Sequence, residues 1–364
     1  MNNIRYSLFY QLIRVSVGTA DCLESAPTAE DWAFLYDEAN RQTLTGVLLE
    51  GVKRLPADQR PPRQLLMNWH ATSEQIAASN RQLNKDTLWA FKKWRQVGYE
   101  SIILKGQGNA QLYPNPLRRT SGDIDIWLNG DRKEIVRYIK RMFPQEEVTR
   151  IEMNFPIKKD TTIEVHFIPS FLYNPFADRR MQLYFREQQK KPKTIMLEDG
   201  EISIPNDEMN LVFQLSHIYR HLFYEGIGLR QLTDYYYLLM DVRKGNDKEV
   251  ISKAVKHINE FGLAKFCGAL MWVEGEVFGL PKEMMIAEPN QKEGTFLLSE
   301  IMKAGNFGHS DDRVGNWAEM SRWQRLTWGT KWALRLIGHY PCEVMWHPVY
   351  RITQYLWRLK NGYL

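Results

Sequence analysis

The sequence predicts an α+β fold, a small mixed β-sheet core flanked by N-terminal and C-terminal helical regions. Three observations lead there. Strand-like runs are confined to one stretch that begins at Gly98 and ends near Pro205. Apolar residues recur at spacings of three and four on both sides of it, and turn-forming residues separate the runs within it. A chain of 364 residues is long enough for two or three folding units. The pattern divides it into residues 1–95, 96–205 and 206–364.

The first region reads as helix through Trp32-Ala33-Phe34-Leu35-Tyr36 and Val47-Leu48-Leu49. Pro56, Pro61 and Pro62 interrupt it, and a long polar helix then runs over residues 62–94 with Gln64, Asn68, Gln75, Asn80 and Asn84 on it. Strands are expected over residues 101–104, 123–128, 148–157 and 161–168, with Lys158-Lys159-Asp160 as a hairpin turn between the last two. Glu198-Asp199-Gly200-Glu201 joins two further short runs and contains the Asp-Gly pair that tight hairpins favour. Asn206-Asp207-Glu208 starts a helix, with a capping side chain followed by acids in the first turn. Helical periodicity continues to the end, where residues 332–364, rich in Trp, Tyr and Arg, read as an amphipathic helix packed on the core.

Composition narrows the class. With 44% hydrophobic and 25% charged residues, and no segment near the roughly 20 uncharged apolar residues of a membrane span, a soluble globular protein is expected. The N-terminal stretch has Arg5 and Arg14 around only a short apolar run, which reads as a helix rather than a secretory signal, so a cytoplasmic location is expected. Cys22, Cys267 and Cys342 are far apart and in no metal-ligand spacing, which fits a reducing compartment and argues against structural zinc. A formal charge of +5 is modest for a protein that binds nucleic acid.

The chemistry is concentrated in Ser121-Gly122-Asp123-Ile124-Asp125-Ile126-Trp127. In a strand, alternate side chains share a face, so Asp123 and Asp125 project together while Ile124 and Ile126 enter the apolar layer. Two like charges side by side repel unless a cation lies between them, and divalent ions held by carboxylate oxygens meet that need. An Asp-x-Asp pattern alone also fits a solvated strand end. Its context adds weight, because Lys105-Gly106-Gln107-Gly108 follows a strand and precedes a short helix at residues 109–112, where glycines let a backbone approach a phosphate. Lys105, Arg118 and Arg119 supply positive charge around the acidic strand, and Ile163-Glu164-Val165-His166-Phe167 places Glu164 and His166 on one face of another strand. Glu164 is the candidate third carboxylate, while His166 either orients it, touches substrate or is a satisfied buried histidine. Further on, His217 and His221 stand four residues apart on one helical face, followed by Arg230 and Asp234, without the third ligand that a zinc site requires.

Together, Ile103-Leu104-Lys105-Gly106, Tyr113-Pro114, Arg119, Gly122-Asp123-Ile124-Asp125-Ile126 and Ile163-Glu164-Val165-His166 resemble the bacterial nucleotidyltransferase-like proteins of the DNA polymerase β superfamily. The motif-bearing likeness covers residues 98–170. It implies Mg²⁺-dependent transfer of a nucleoside monophosphate, with Asp123, Asp125 and Glu164 as catalytic ligands of two ions, for which Mn²⁺ would also serve. Gly106 becomes the phosphate-turn glycine, with Lys105, Gln107, Gly108, Arg119 and Gly122 on the nucleotide. In the wider superfamily pattern a second small residue follows that glycine, whereas here Gln107 stands there and Gly108 comes next. The likeness also implies that His217, His221, Arg230 and Asp234 line the cleft opposite the metals, with Arg118 and His166 facing substrate.

The leading expectation is therefore an enzyme that uses an NTP and passes the nucleotidyl group to an acceptor hydroxyl. A small molecule or a protein is favoured over a nucleic acid as acceptor, given the modest charge. The competing expectations are a nucleotide-sensing or scaffolding protein of the same fold without turnover, and a helical interaction protein whose acidic strand is incidental.

Overall fold

A computed structural model describes residues 2–224, 226–306, 331 and 333–363. Four helices come first: α1 (Asn2–Val17), α2 (Ala29–Arg41), α3 (Thr45–Arg54) and α4 (Arg63–Gln96). Thr28 and Asp31 form a reciprocal capping box that fixes the start of α2. The sheet region holds β1 (Glu100–Ile103), α5 (Gln107–Ala110), β2 (Ile124–Asn129), α6 (Arg132–Met142), β3 (Glu152–Asn154), β4 (Ile163–His166), α7 (Pro175–Gln188), β5 (Lys193–Leu197) and β6 (Gly200–Ile204). Then follow α8 (Asp207–Tyr224), α9 (Leu229–Lys244), α10 (Lys248–Glu260), α11 (Ala264–Phe278), α12 (Gln291–Ala304) and α13 (Pro341–Asn361). Among the described residues, no helix is long and apolar enough to cross a membrane.

The fold is α+β, with a four-stranded sheet in the order β1-β2-β4-β3 and a separate β5-β6 hairpin. β2 and β4 are parallel, and both outer pairings are antiparallel. The expected strand at 148–157 contracts to three residues plus one bridge between Val148 and Met153, because after Phe155, whose N–H still donates to the Ile163 carbonyl at 2.8 Å, the chain leaves the ladder for a wide loop. That loop replaces the tight turn expected at Lys158-Lys159-Asp160. In the β5-β6 hairpin Leu197 pairs with Gly200, so the two-residue turn is Glu198-Asp199 and the glycine begins the second strand.

Two apolar clusters organise the chain. The smaller lies between the sheet and the second half of α4, where Leu88, Ala90 and Trp94 meet Ile103, Ile124, Ile126, Val165 and Phe155. The larger joins the helices before the sheet to those after it. α1 packs on α11, and Thr19 Oγ1 donates to the Phe278 carbonyl at 2.6 Å. The N-terminal and C-terminal helical regions thus share one core. The first half of α4 belongs to that core through Trp69, whose ring lies edge-on to Trp32 and Tyr36 and whose Nε1 donates to the Thr45 carbonyl at 2.8 Å.

The apolar spacing expected at the chain's end corresponds to α13, although Trp332, Leu364 and residues 307–330 lie outside the described residues. At its start, the Glu343 carboxylate accepts from the backbone N–H groups of Tyr173 and Asn174, while Tyr350 stacks on Phe171 with ring centroids 4.7 Å apart. Burial outweighs those two hydrogen bonds and pushes the Glu343 carboxyl from 4.5 up to about 7. The folded state therefore binds this proton more tightly than the unfolded chain. Its contribution to stability is complete below pH 4.5 and is lost as pH rises through about 7. Amide exchange in the first turns of α13 is expected to be faster at pH 8 than at pH 5 after correction for intrinsic rates, and Glu343→Gln should abolish the difference; equal protection of the wild type at both pH values contradicts this account.

Candidate active site

The parallel pairing of β2 with β4 sets Asp125 directly beside Glu164, and alternation places His166 on the same face as Glu164. Ligating atoms of Asp125, Glu164 and His166 lie within 4.8 Å of one another. Asp125 is 1% exposed, a burial that a carboxylate tolerates only with strong partners. Lys105 Nζ stands 2.9 Å from Asp125 Oδ1, and His166 Nε2 is also 2.9 Å from that oxygen. Burial opposes ionisation of Asp125, but Lys105 and His166 outweigh it and hold the carboxyl far below its usual range. Burial likewise opposes charge on His166, yet its bonds to Asp125 and Glu164 and the nearby Glu152 raise it to about 10. Glu152, on the edge strand β3 opposite His166, lies 3.5 Å from the Nδ1 atom. Glu164 is raised, first by burial and then by the charges of Asp125, Glu152 and Asp123.

The second Asp125 oxygen, Oδ2, is buried without a hydrogen-bond partner. Together with the neighbouring Glu164 carboxylate, and with the His166 imidazole once it gives up its proton, that orphaned acceptor is a donor set fit for a divalent cation. Asp123 is not in this cluster. It precedes β2 and lies on the wall of the adjoining cleft, which Lys105, Gly106, Arg119, Gly122 and Asp125 also line. The cleft encloses about 30 Å³, room for water or an ion but not for a nucleotide, which would have to lie in the open mouth.

The opposite wall comes from α8 and α9. His217 Nε2 lies 3.2 Å from Lys105 Nζ and 3.0 Å from His221 Nε2. Burial, then the charge of Lys105, drive His217 well below its usual value, so a neutral imidazole accepts from the lysine. Asp234 grips Arg119 through two 2.7 Å hydrogen bonds, Nε to Oδ1 and Nη2 to Oδ2, and also accepts from Tyr113 Oη at 2.5 Å and Asn109 Nδ2 at 3.3 Å. Arg230 Nη1 donates to the Thr120 carbonyl at 2.9 Å. The mouth therefore combines acids from the sheet with two arginines held from the helices.

Residues 28–279, most of the chain, match the family described as "Uncharacterised nucleotidyltransferase". The chain belongs to this family. A crystal structure of an antigenic nucleotidyltransferase-like protein from Paracoccidioides brasiliensis is similar at 13% identity, covering 51% of this chain and 94% of that chain, with a TM-score of 0.28. No curated protein matches the sequence.

In this member of the family the expected residues separate into two groups. Lys105, Gly106, Arg119, Gly122, Asp123, Asp125, His217, Arg230 and Asp234 line one cleft, with Glu164 and His166 joined to it through Asp125. Gly106 has φ of +52°, a left-handed backbone that costs glycine little, and a Cβ there would meet the Asp123 carbonyl at 3.3 Å. Gln107, Gly108 and Arg118 point elsewhere. The one-turn α5 begins at Gln107 rather than residue 109, which swings the Gln107 side chain onto the Asn80 carbonyl and Asn84 of α4. A Cβ on Gly108 would meet Ile204 at 2.9 Å, so this glycine serves helix-to-hairpin packing. Arg118 donates to the carbonyl and hydroxyl of Ser73 and pairs with Glu74 at 2.6 Å. His221 stands behind His217, and Asp234 is spent on Arg119.

Sequence reasoning missed Tyr113, Asn109, Gln214 and Glu152 as site residues. Tyr113 was visible in the Tyr-Pro pair, but its bond to Asp234 spans 121 residues and needs the fold. Removing Asp234 leaves the buried Arg119 guanidinium without its carboxylate. Asp234→Ala should lower stability by about 3–5 kcal/mol in denaturant unfolding, and Arg119→Met with Asp234→Leu should recover most of that loss; an unchanged midpoint for Asp234→Ala would contradict the assigned role.

Proposed function

We propose that the protein transfers a nucleoside monophosphate from an NTP to an acceptor hydroxyl with Mg²⁺, for which Mn²⁺ can substitute. The observation that carries the proposal is the buried Asp125 beside Glu164, with one acceptor oxygen unspent, at the wall of a cleft bearing Lys105, Arg119 and Arg230. Asp123, Asp125 and Glu164 would hold two ions. When bound, such ions offset charge on the attacking and leaving oxygens and favour the deprotonated acceptor.

The chain's own groups account for the rest. The backbone at Gly106 and Gly122 leaves room for phosphate oxygens, and Arg119, clamped by Asp234, offers a fixed positive charge near them. Lys105 holds Asp125 ionised until a cation takes its place, and His217 accepts the ammonium on the cleft's far wall. Glu164, whose carboxyl is raised by burial and by its acidic neighbours, is suited to take the acceptor's proton. The enclosed volume near the carboxylates leaves no space for a bulky group there, so the acceptor approaches through the mouth. A small molecule or an exposed protein side chain suits that approach.

A second reading is favoured by one specific feature: Asp125 already has two cationic partners without any metal. A protein that binds nucleotide and does not turn it over could keep that arrangement. With Mg²⁺, an NTP and a panel of acceptors, wild-type protein is expected to release pyrophosphate, and Asp123→Asn or Asp125→Asn to lower the rate by about 100-fold or more. Nucleotide binding with no pyrophosphate from any acceptor would favour the second reading, and calorimetry showing no Mg²⁺-dependent nucleotide binding would sink both.

A further inference from the structure

Beyond the carboxylate cleft, a larger groove of about 710 Å³ opens at the far ends of β2 and β4. Its walls are the turn after β2, the start of α6, the second half of α7 and the end of α13. Asp125, Trp127 and Asn129 share one face of β2, and Asn129 at the groove lies about 13 Å along the strand from Asp125. Trp127, packed edge-on against Phe185, separates the groove from the cleft.

The groove is cationic and aromatic. Arg132 lies between two rings, its guanidinium carbon 4.9 Å from the Phe167 centroid and 5.3 Å from that of Trp357. Among the described residues, Arg132 makes no hydrogen bond and no ion pair, so a half-buried fork of five N–H donors is held in place by ring contacts alone. Arg186, on the groove wall, and Arg150 nearby form no ion pair among the described residues, and after burial these two are what depress the Arg132 guanidinium. The lining acids offer little relief. Glu187 is paired with Lys190 at 2.8 Å on the surface, and Asp131 caps the first turn of α6.

Among the described residues these three arginines have no ion-paired carboxylate, with Asp131 acting on Arg132 and Arg150 on Asp178 only at a distance, so a bound anion would relieve their mutual repulsion; a volume of this size lies in the usual range for small-ligand sites. A planar fork favours phosphate oxygens, and the partly exposed rings of Phe167, Trp357 and Tyr363 favour a flat ring beside the phosphate. We propose that this groove is a second binding site, for a small phosphorylated ligand with a heterocyclic ring, of the mononucleotide class. The site is independent of the proposed transfer reaction and requires no metal.

Calorimetric titration in EDTA with AMP and with inorganic phosphate tests this on wild type, Asp125→Asn, Arg132→Ala and Arg186→Glu. AMP should bind wild type and Asp125→Asn alike, and more tightly than phosphate, since only AMP carries a ring. Arg132→Ala should weaken AMP binding by about tenfold or more. Arg186→Glu, at an exposed position with no ion pair among the described residues, should weaken it as well while leaving the fold intact, which guards against a loss caused by loosening α13. Absence of AMP binding to wild type, loss of binding in Asp125→Asn, or affinity unchanged in both arginine variants would overturn the proposal.

Discussion

The Arg119–Asp234 pair is the constraint on which the candidate site depends. It is bidentate, buried and reinforced by Tyr113 and Asn109, and it ties the connection between β1 and β2 to α9. Buried charges are retained only where geometry and extra hydrogen bonds satisfy them, and here every strong acceptor lobe of Asp234 has a donor. The cleft between sheet and helices is thereby held at one width. Lys105 against His217 and Arg230 on the Thr120 carbonyl add weaker ties between the same two walls.

α4 supplies the second constraint. Its first half belongs to the helical core through Trp69, and its second half underlies the sheet through Leu88 and Trp94. At the junction, Asn80 donates to the carbonyls of Leu117 and Arg119 at 2.9 and 2.7 Å and accepts from Gln107. Asn80 therefore positions both, the arginine segment through its side-chain amide and the glycine turn through its backbone carbonyl. The 34-residue length of α4 is what lets a single rigid element do so.

Much of this was legible in the sequence because it is local. The alternation of Asp123-Ile124-Asp125-Ile126 fixes which residues face the layer beneath, and the helix start at Asn206 follows from capping chemistry. The family assignment, too, follows residues that lie close together along the chain. What was not legible arises from long-range contact. Nothing near Gln107 in sequence reveals that its side chain turns to α4, and the assignment of Gly108 to packing depends on Ile204, almost a hundred residues away. The same holds for Glu152, which meets His166 only because an edge strand of three residues pairs antiparallel with β4. Arg118 and Arg119 are adjacent, yet a turn sends one to α4 and the other into the cleft.

Lys105 gives the site a character of its own. Its ammonium already neutralises, through Oδ1, the carboxylate that in the proposed function a divalent ion would claim through the free Oδ2, so occupancy would exchange one cation for another rather than fill a vacancy. A divalent ion that expels this single charge changes the local total by one unit instead of two. The displaced ammonium has a resting place against the neutral His217, 3.2 Å away, which keeps it near the cleft. In the proposed function the site would act as a miniature ion exchanger whose resin carries its own counter-ion, its selectivity resting on how far each entering ion outbids a tethered amine.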